Sequence, residues 1–487
     1  GTVALLKSVM VSTDPIVING SVNADDLHID LSGVTLINAS GVATERLGVA
    51  LQFDGMAGDD VVRFTGNSAV TGNLSIGAES ITVDASTTVD ATATVSLNAT
   101  STRSDSDTSV LTASTSGTQS AAVTVRGTVS GADVTLTAAT TGTISAISTA
   151  GLLSAHNNWT ETAIVTINAG SKITGSNSVT ILADRSTDYY AKGRDAKNTV
   201  SGNTSVAIGG TGSTTITAGG ALSIIADNRI KTTALSPDLT LNWGIIAAPI
   251  SLEIGIARNE VVGDTTVAVS NTAISQTAGT TGTTIAARRR LEASAETKTD
   301  AVAFSAISSG GSVSIAGSYA SNLLSGNVRN TISGGSLAAT NASVTAEDEA
   351  TAMVKTGLSA STQNFSAASS STSFSFGASI AFNMIGGAAL DSNLMVLSAL
   401  TGINEPPATP ASVLATFTDT TITINGGDLT LSADSAARAN ATISNAAESA
   451  SDSLYGSGGG AGSGLLATNL VRTSAEAHIR NTATKNV

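Results

Sequence analysis

Asn198–Ile208 reads NTVSGNTSVAI, and this pattern returns twice downstream. Asn259–Val269 reads NEVVGDTTVAV and Asn322–Ile332 reads NLLSGNVRNTI, each with Asn first, Gly fifth and an aliphatic residue last. Shorter echoes begin at Asn383 (NMIGG) and Asn469 (NLVRTSAEAHI). The starts lie 61, 63, 61 and 86 residues apart. A long fixed period belongs to stacked-repeat architectures, where each unit is too small to bury its own apolar face and its neighbours complete it.

The flanks of each start repeat as well. Short alternating segments ending in Ala plus an acid follow, as in Leu222–Asp227 (LSIIAD), Ser343–Asp348 (SVTAED) and Leu429–Asp434 (LTLSAD), and Val179–Asp184 (VTILAD) precedes the first start. Thr and Val are abundant, Pro occurs only six times, and aromatic residues make up 3% of the chain. Small and β-branched residues with period-two alternation predict strands in tight stacks, not helices and not disorder. A 61-residue unit divides into three coils of about 20 residues, a common solenoid turn. On that division the chain makes about 24 coils and a rod of about 110 Å. Asn198, Asn259, Asn322, Asn383 and Asn469 then either form an amide ladder along the axis or take the left-handed backbone at a corner.

Residues 1–175 read as an opening region of degenerate coils, and 176–487 as the repeat solenoid. Asp105 and Asp107 fall in a polar bend. Three of the six prolines lie in Thr401–Pro410 (TGINEPPATP), which marks a loop insertion near 401–414. The run Gly456–Gly464 (GSGGGAGSG) reads as a wide turn, and Arg288–Arg290 as a solvated edge or loop.

The net charge of −14 argues against nucleic acid as a partner. The lack of Cys excludes a disulfide framework, and no apolar run is long enough for a transmembrane helix. No export signal or capping segment is readable at either end, so the chain is expected to be part of something longer. Open solenoid ends carry unpaired strand edges, which predicts self-association end to end or laterally.

Chemistry-bearing residues are few. Phe53–Phe64 (FDGMAGDDVVRF) is Gly/Asp-rich like a calcium-binding turn, which nominates Asp54, Asp59 and Asp60 as Ca²⁺ ligands. His28, His156 and His478 have no ligand spacing. Parallel β-helices also bind or cleave polysaccharides, so Tyr189 and Tyr190, with Arg194 and Asp195, form a candidate glycan patch against the alternative of an exposed loop. Ice binding by flat threonine faces is a third class, although regular T-x-T rows at coil spacing are not evident.

The I-x-x-x-x-N…G…V-A-V and L-x-I-x-A-D pieces, over roughly residues 175–487, resemble internal repeats of very large bacterial surface proteins, the filamentous-haemagglutinin-like and giant adhesin class. The resemblance implies a right-handed β-solenoid, export to the cell surface, and a role in adhesion, matrix or filament formation. It implies no catalytic residues. The expectation is therefore a secreted, non-catalytic structural or adhesive rod without a required cofactor. Its expected partners are other copies, host or neighbouring-cell surfaces, or glycans.

Overall fold

In the computed structural model the alternating segments close into one parallel stack. The structure describes residues 14–32, 36–37, 43–44, 46–56, 58–149, 153–237, 250–277, 282–305, 312–366, 371–386, 410–453 and 457–482. Among these residues there is no helix, and 29 strands join a single sheet. A two-stranded antiparallel pair, Leu36–Ile37 with Ala43–Thr44, stands apart. The fold is all-β, a parallel β-solenoid. The proline-rich segment 401–409 lies outside the described residues, whereas Ala411–Thr418, at the far side of the expected insertion, is a strand. Lys172–Lys192 runs as one strand across the junction of the two expected regions, and pairing continues through it.

Register explains why these sequences stack. In one column Ile18, Phe53, Ile76, Leu97, Leu136, Ile181, Ile224, Ile285, Val344 and Leu431 lie one above another. A second column runs from Ile29 through Phe64, Val83, Val125, Ile167, Ile208, Val269, Ile332 and Phe417 to Ile479. A third carries Val89, Val129, Ile173, Ile216, Ile274, Leu337 and Ile422. Apart from the exposed Ile479 of the last rung, their inward side chains form one apolar core. Each rung contributes the alternate residues of a strand to it, as period-two geometry requires.

The coil length departs from expectation. Phe53 faces Ile76 and Ile76 faces Leu97, so the narrow coils contain a little over 20 residues. Leu136 then faces Ile181, Ile224 faces Ile285, and Val344 faces Leu431. The turn therefore widens in steps, and the 61-residue period is one complete turn instead of three. Ten rungs at about 4.8 Å give a stack of about 43 Å, not 110 Å.

The extra residues of the wide coils form a wing. Strands leave the core without a break, as in Thr128–Ser148, Lys172–Lys192, Thr283–Ser305 and Ala342–Ser366, and return as Ser154–Asn168, Asp195–Ser201, Ser312–Ser325 and Ser371–Ile385. The outgoing and returning layers pack face to face. Near the core they enclose Trp159, Tyr189, Ile230 and Leu291. Further out the filling shrinks to alanine, with Ala191, Ala234 and Ala295 on one layer against Ala196, Ala257, Ala320 and Ala381 on the other. Small side chains let the two sheets approach closely, which gives alanine a role in strands here. Asp105 and Asp107 lie within the first outgoing strand, Thr94–Ser109, not in a bend.

The returning layer must swing back into the core, and glycine makes that bend. Gly202 and Gly326, the fifth residues of two repeats, have φ of 112° and 121°. A Cβ at Gly326 would be driven into the Gly263 carbonyl of the rung beside it. The repeat's central glycine is thus a stacked corner.

Candidate functional site

The wing interior is organised around amide side chains. Asn198 Nδ2 donates to Asn259 Oδ1 at 2.8 Å, Asn259 to Asn322 at 2.8 Å, Asn322 to Asn383 at 3.0 Å, and Asn383 to Asn469 at 2.8 Å. Each of the first four also donates across the wing to a carbonyl of the outgoing layer: Thr233, Ser294, Met353 and Asn440, all at 2.8 Å. The chemistry requires Asn here. Its amide supplies two diverging donors and one acceptor, which matches one bond up the axis, one across the gap and one from the rung before. None of the five is among the described non-glycine residues with positive φ, so the corner alternative does not apply.

The ladder also extends one rung earlier than the repeat indicates. Asn157 donates to Asn198 at 2.7 Å and to the Tyr190 carbonyl at 2.8 Å, while Thr115 Oγ1 donates to Asn157 and receives the Trp159 indole N–H. Asn157 escaped notice because its coil is only 41 residues from the next and Glu161 occupies the glycine position.

Between core and wing runs a second polar column: Thr140, Arg185, Asn228, Arg289 and Asp348. Arg185 Nε meets Glu161 at 2.8 Å, and Glu161 also accepts the Tyr189 hydroxyl. Arg289 grips Asp348 with two bonds of 2.8 Å and reaches the Ser325 carbonyl at 3.2 Å. Both ion pairs are buried. The triplet Arg288–Arg290 is therefore neither loop nor free edge. It lies mid-strand over Glu347, Asp348 and Glu349, one partner each, with the central pair turned inward.

The candidate ligand residues are distributed differently from the sequence expectation. Asp54 and Asp59 are exposed and Asp60 is buried, and among the described residues no group of three His, Cys, Asp or Glu is arranged to hold a metal. Asp54 Oδ1 caps the Met56 amide at 3.1 Å, and Asp60 Oδ1 accepts the Asp25 N–H at 2.8 Å. Asp54 and Asp60 thus each accept a backbone amide of the corner. Asp60 Oδ2 is buried without a hydrogen-bond partner. Burial, with Asp25, Asp59 and Asp54 nearby, pushes the Asp60 carboxyl above its ordinary range, and burial does the same at Glu79.

The tyrosine pair makes no joint sugar platform. Neighbouring residues on a strand point to opposite faces. Tyr189 is 2% exposed inside the wing, where burial and the Glu161 charge push its phenol far up, and Tyr190 is only half-buried on the outer face. The segment is strand, with a turn only at Gly193 and Arg194. Arg194 Nε donates to the Ile254 carbonyl at 2.9 Å. Asp195 lies on the outer face between His156 at 3.2 Å and Arg258 at 3.3 Å. Burial opposes its ionisation, but these two partners hold its carboxyl below the usual range.

A hydroxyl file runs up the outside of the core. Ser75, Ser96, Thr135, Thr180, Ser223, Thr284, Ser343 and Thr430 are stacked on successive rungs. It was invisible in the sequence because the spacing between members changes with coil length. The glycine run is another correction. Its described part belongs to the strand Ser457–Val471, with Gly460 and Gly462 opposite Phe374 and Phe376. Searches against family models, curated proteins and solved structures return no match to this chain.

Proposed function

We propose that this chain is a non-catalytic structural or adhesive segment of a secreted surface protein, a stiff solenoid that projects from a cell or joins an extracellular filament. One observation carries the reading. Inside the wing six asparagines form one unbroken ladder from rung to rung, and two buried arginines are locked to carboxylates. Such a design resists bending and local opening, which suits a mechanical element. The resemblance of the repeats to giant adhesin segments supports the same reading. Antibody raised to the chain and applied to intact and lysed cells of its source tests it. Labelling of intact cells is expected, and labelling only after lysis would overturn the surface role.

The hydroxyl file gives ice binding a specific observation as a second reading. Inhibition of ice recrystallisation that is lost on replacing Thr135, Thr180 and Thr284 with Val would favour it over adhesion.

A further inference from the structure

The two outer faces of the wing differ in charge. The outgoing layer bears Arg288, Arg290, Glu347 and Glu349. By contrast, three successive returning strands, Ser312–Ser325, Ser371–Ile385 and Ser457–Val471, contain no Asp, Glu, Lys or Arg at all. Their outer face exposes Ile315 (40%), Phe374 (44%) and Phe376 (51%), and Ile254 of the strand before adds to it. Beside the two phenylalanines lies a bare strip. Gly458, Gly460, Gly462 and Gly464 are register partners of Thr372, Phe374, Phe376 and Ala378, so they occupy the same face. The rings of Phe374 and Phe376 lie against Gly460 and Gly462. With the rings laid against the glycines, ridge and strip together form one flat apolar surface.

We propose that this returning face is the lateral contact between two copies of the chain, and the proposal rests on the self-associating structural reading above. A two-fold rotation brings the Phe374–Phe376 surface of one copy against the same surface of the other, which makes the contact isologous. Electrostatics selects this face over the others. Each copy carries a net charge of −14, so the contact that desolvates least charge is the one lying on these three charge-free strands. End-to-end contact through the first wing strand is opposed by the same logic, because its unpaired half carries Arg103, Asp105 and Asp107.

The absence of cysteine makes the test clean. Sedimentation over a concentration series is compared for the native chain and for Phe374→Thr/Phe376→Thr, with circular dichroism confirming that both are folded. The dimer dissociation constant should rise at least about tenfold in the variant. Two single-cysteine chains, Ala378→Cys on the face and Met353→Cys on the opposite layer, are oxidised in parallel, and only the first should yield a covalent dimer. Association that is unchanged by the phenylalanine replacements, or equal cross-linking of both cysteine chains, overturns this surface while leaving self-association standing. A native chain that stays monomeric at every concentration removes both.

Discussion

Replacing Asn322 with alanine probes the wing at its middle rung. Asn322 donates to Met353 O at 2.8 Å and to Asn383 Oδ1 at 3.0 Å, and accepts from Asn259 Nδ2 at 2.8 Å. Asn322 also makes a longer bond of 3.3 Å to the Ala293 carbonyl, so the alanine deletes four bonds in all and leaves a buried Asn259 N–H and a buried Asn383 oxygen without partners. Each orphaned group costs about 1–3 kcal/mol, so the substitution should destabilise this part of the stack by about 3 kcal/mol. Rungs couple to their neighbours, so the loss should be local. Amide hydrogen exchange in Ile250–Val262, Ser312–Ser325 and Ser371–Ile385 should accelerate roughly a hundredfold, while the core strands Leu51–Asp54 and Leu74–Ala78 keep their protection. The exposed Arg329→Ala in a neighbouring strand is the control, expected within about 0.5 kcal/mol of the native chain. Exchange in Asn322→Ala that matches the control would refute the claim that the ladder holds the two layers together.

Three further outcomes follow from the same geometry. Asp348→Ala leaves the buried Arg289 guanidinium unpaired and should cost about 3–5 kcal/mol in denaturant unfolding, whereas the exposed Glu349→Ala should cost under about 1 kcal/mol. Gly326→Ala forces a Cβ into the Gly263 carbonyl at φ of 121° and should lower the melting temperature by several degrees, about what 1–3 kcal/mol produces. The raised carboxyls of Asp60 and Glu79 bind protons more tightly folded than unfolded, so their contribution falls as pH rises from their ordinary values of 3.8 and 4.5 through the raised ones. Exchange in Val61–Phe64 and Ser80–Val83, corrected for intrinsic rates, should therefore quicken as pH rises through the raised values, and Asp60→Asn should remove part of that change.

The parallel stack was legible because several consecutive wide coils have nearly equal length, which brought Asn198, Asn259, Asn322 and Asn383 into a visible period. That same period misled on coil size, since nothing in a repeat length distinguishes one wide turn from three narrow ones. The distinguishing signal lay in strand length. Thr283–Ser305 runs for 23 residues with no Gly or Pro, too long for one side of a narrow coil. Arg288–Arg290 and Glu347–Glu349 were complementary triplets one coil apart, but only the pairing register shows that each charge sits on its opposite. Tyr189 and Tyr190 were taken together because they are adjacent, although strand geometry alone separates them to opposite faces. The glycine run read as a turn because the Phe374 and Phe376 rings that lie against it belong to another rung.

The equality of one repeat with one turn is tested most directly by engineered disulfides. Ser205 and Thr266 are register partners on adjacent rungs, and Ser223 lies in the same coil as Ser205. Strand neighbours about 4.8 Å apart fall within disulfide reach. Oxidation of Ser205→Cys/Thr266→Cys should give an intramolecular disulfide in nearly every molecule, and Ser205→Cys/Ser223→Cys should remain reduced under the same conditions. The opposite pattern would restore three short coils per repeat and contradict the wing.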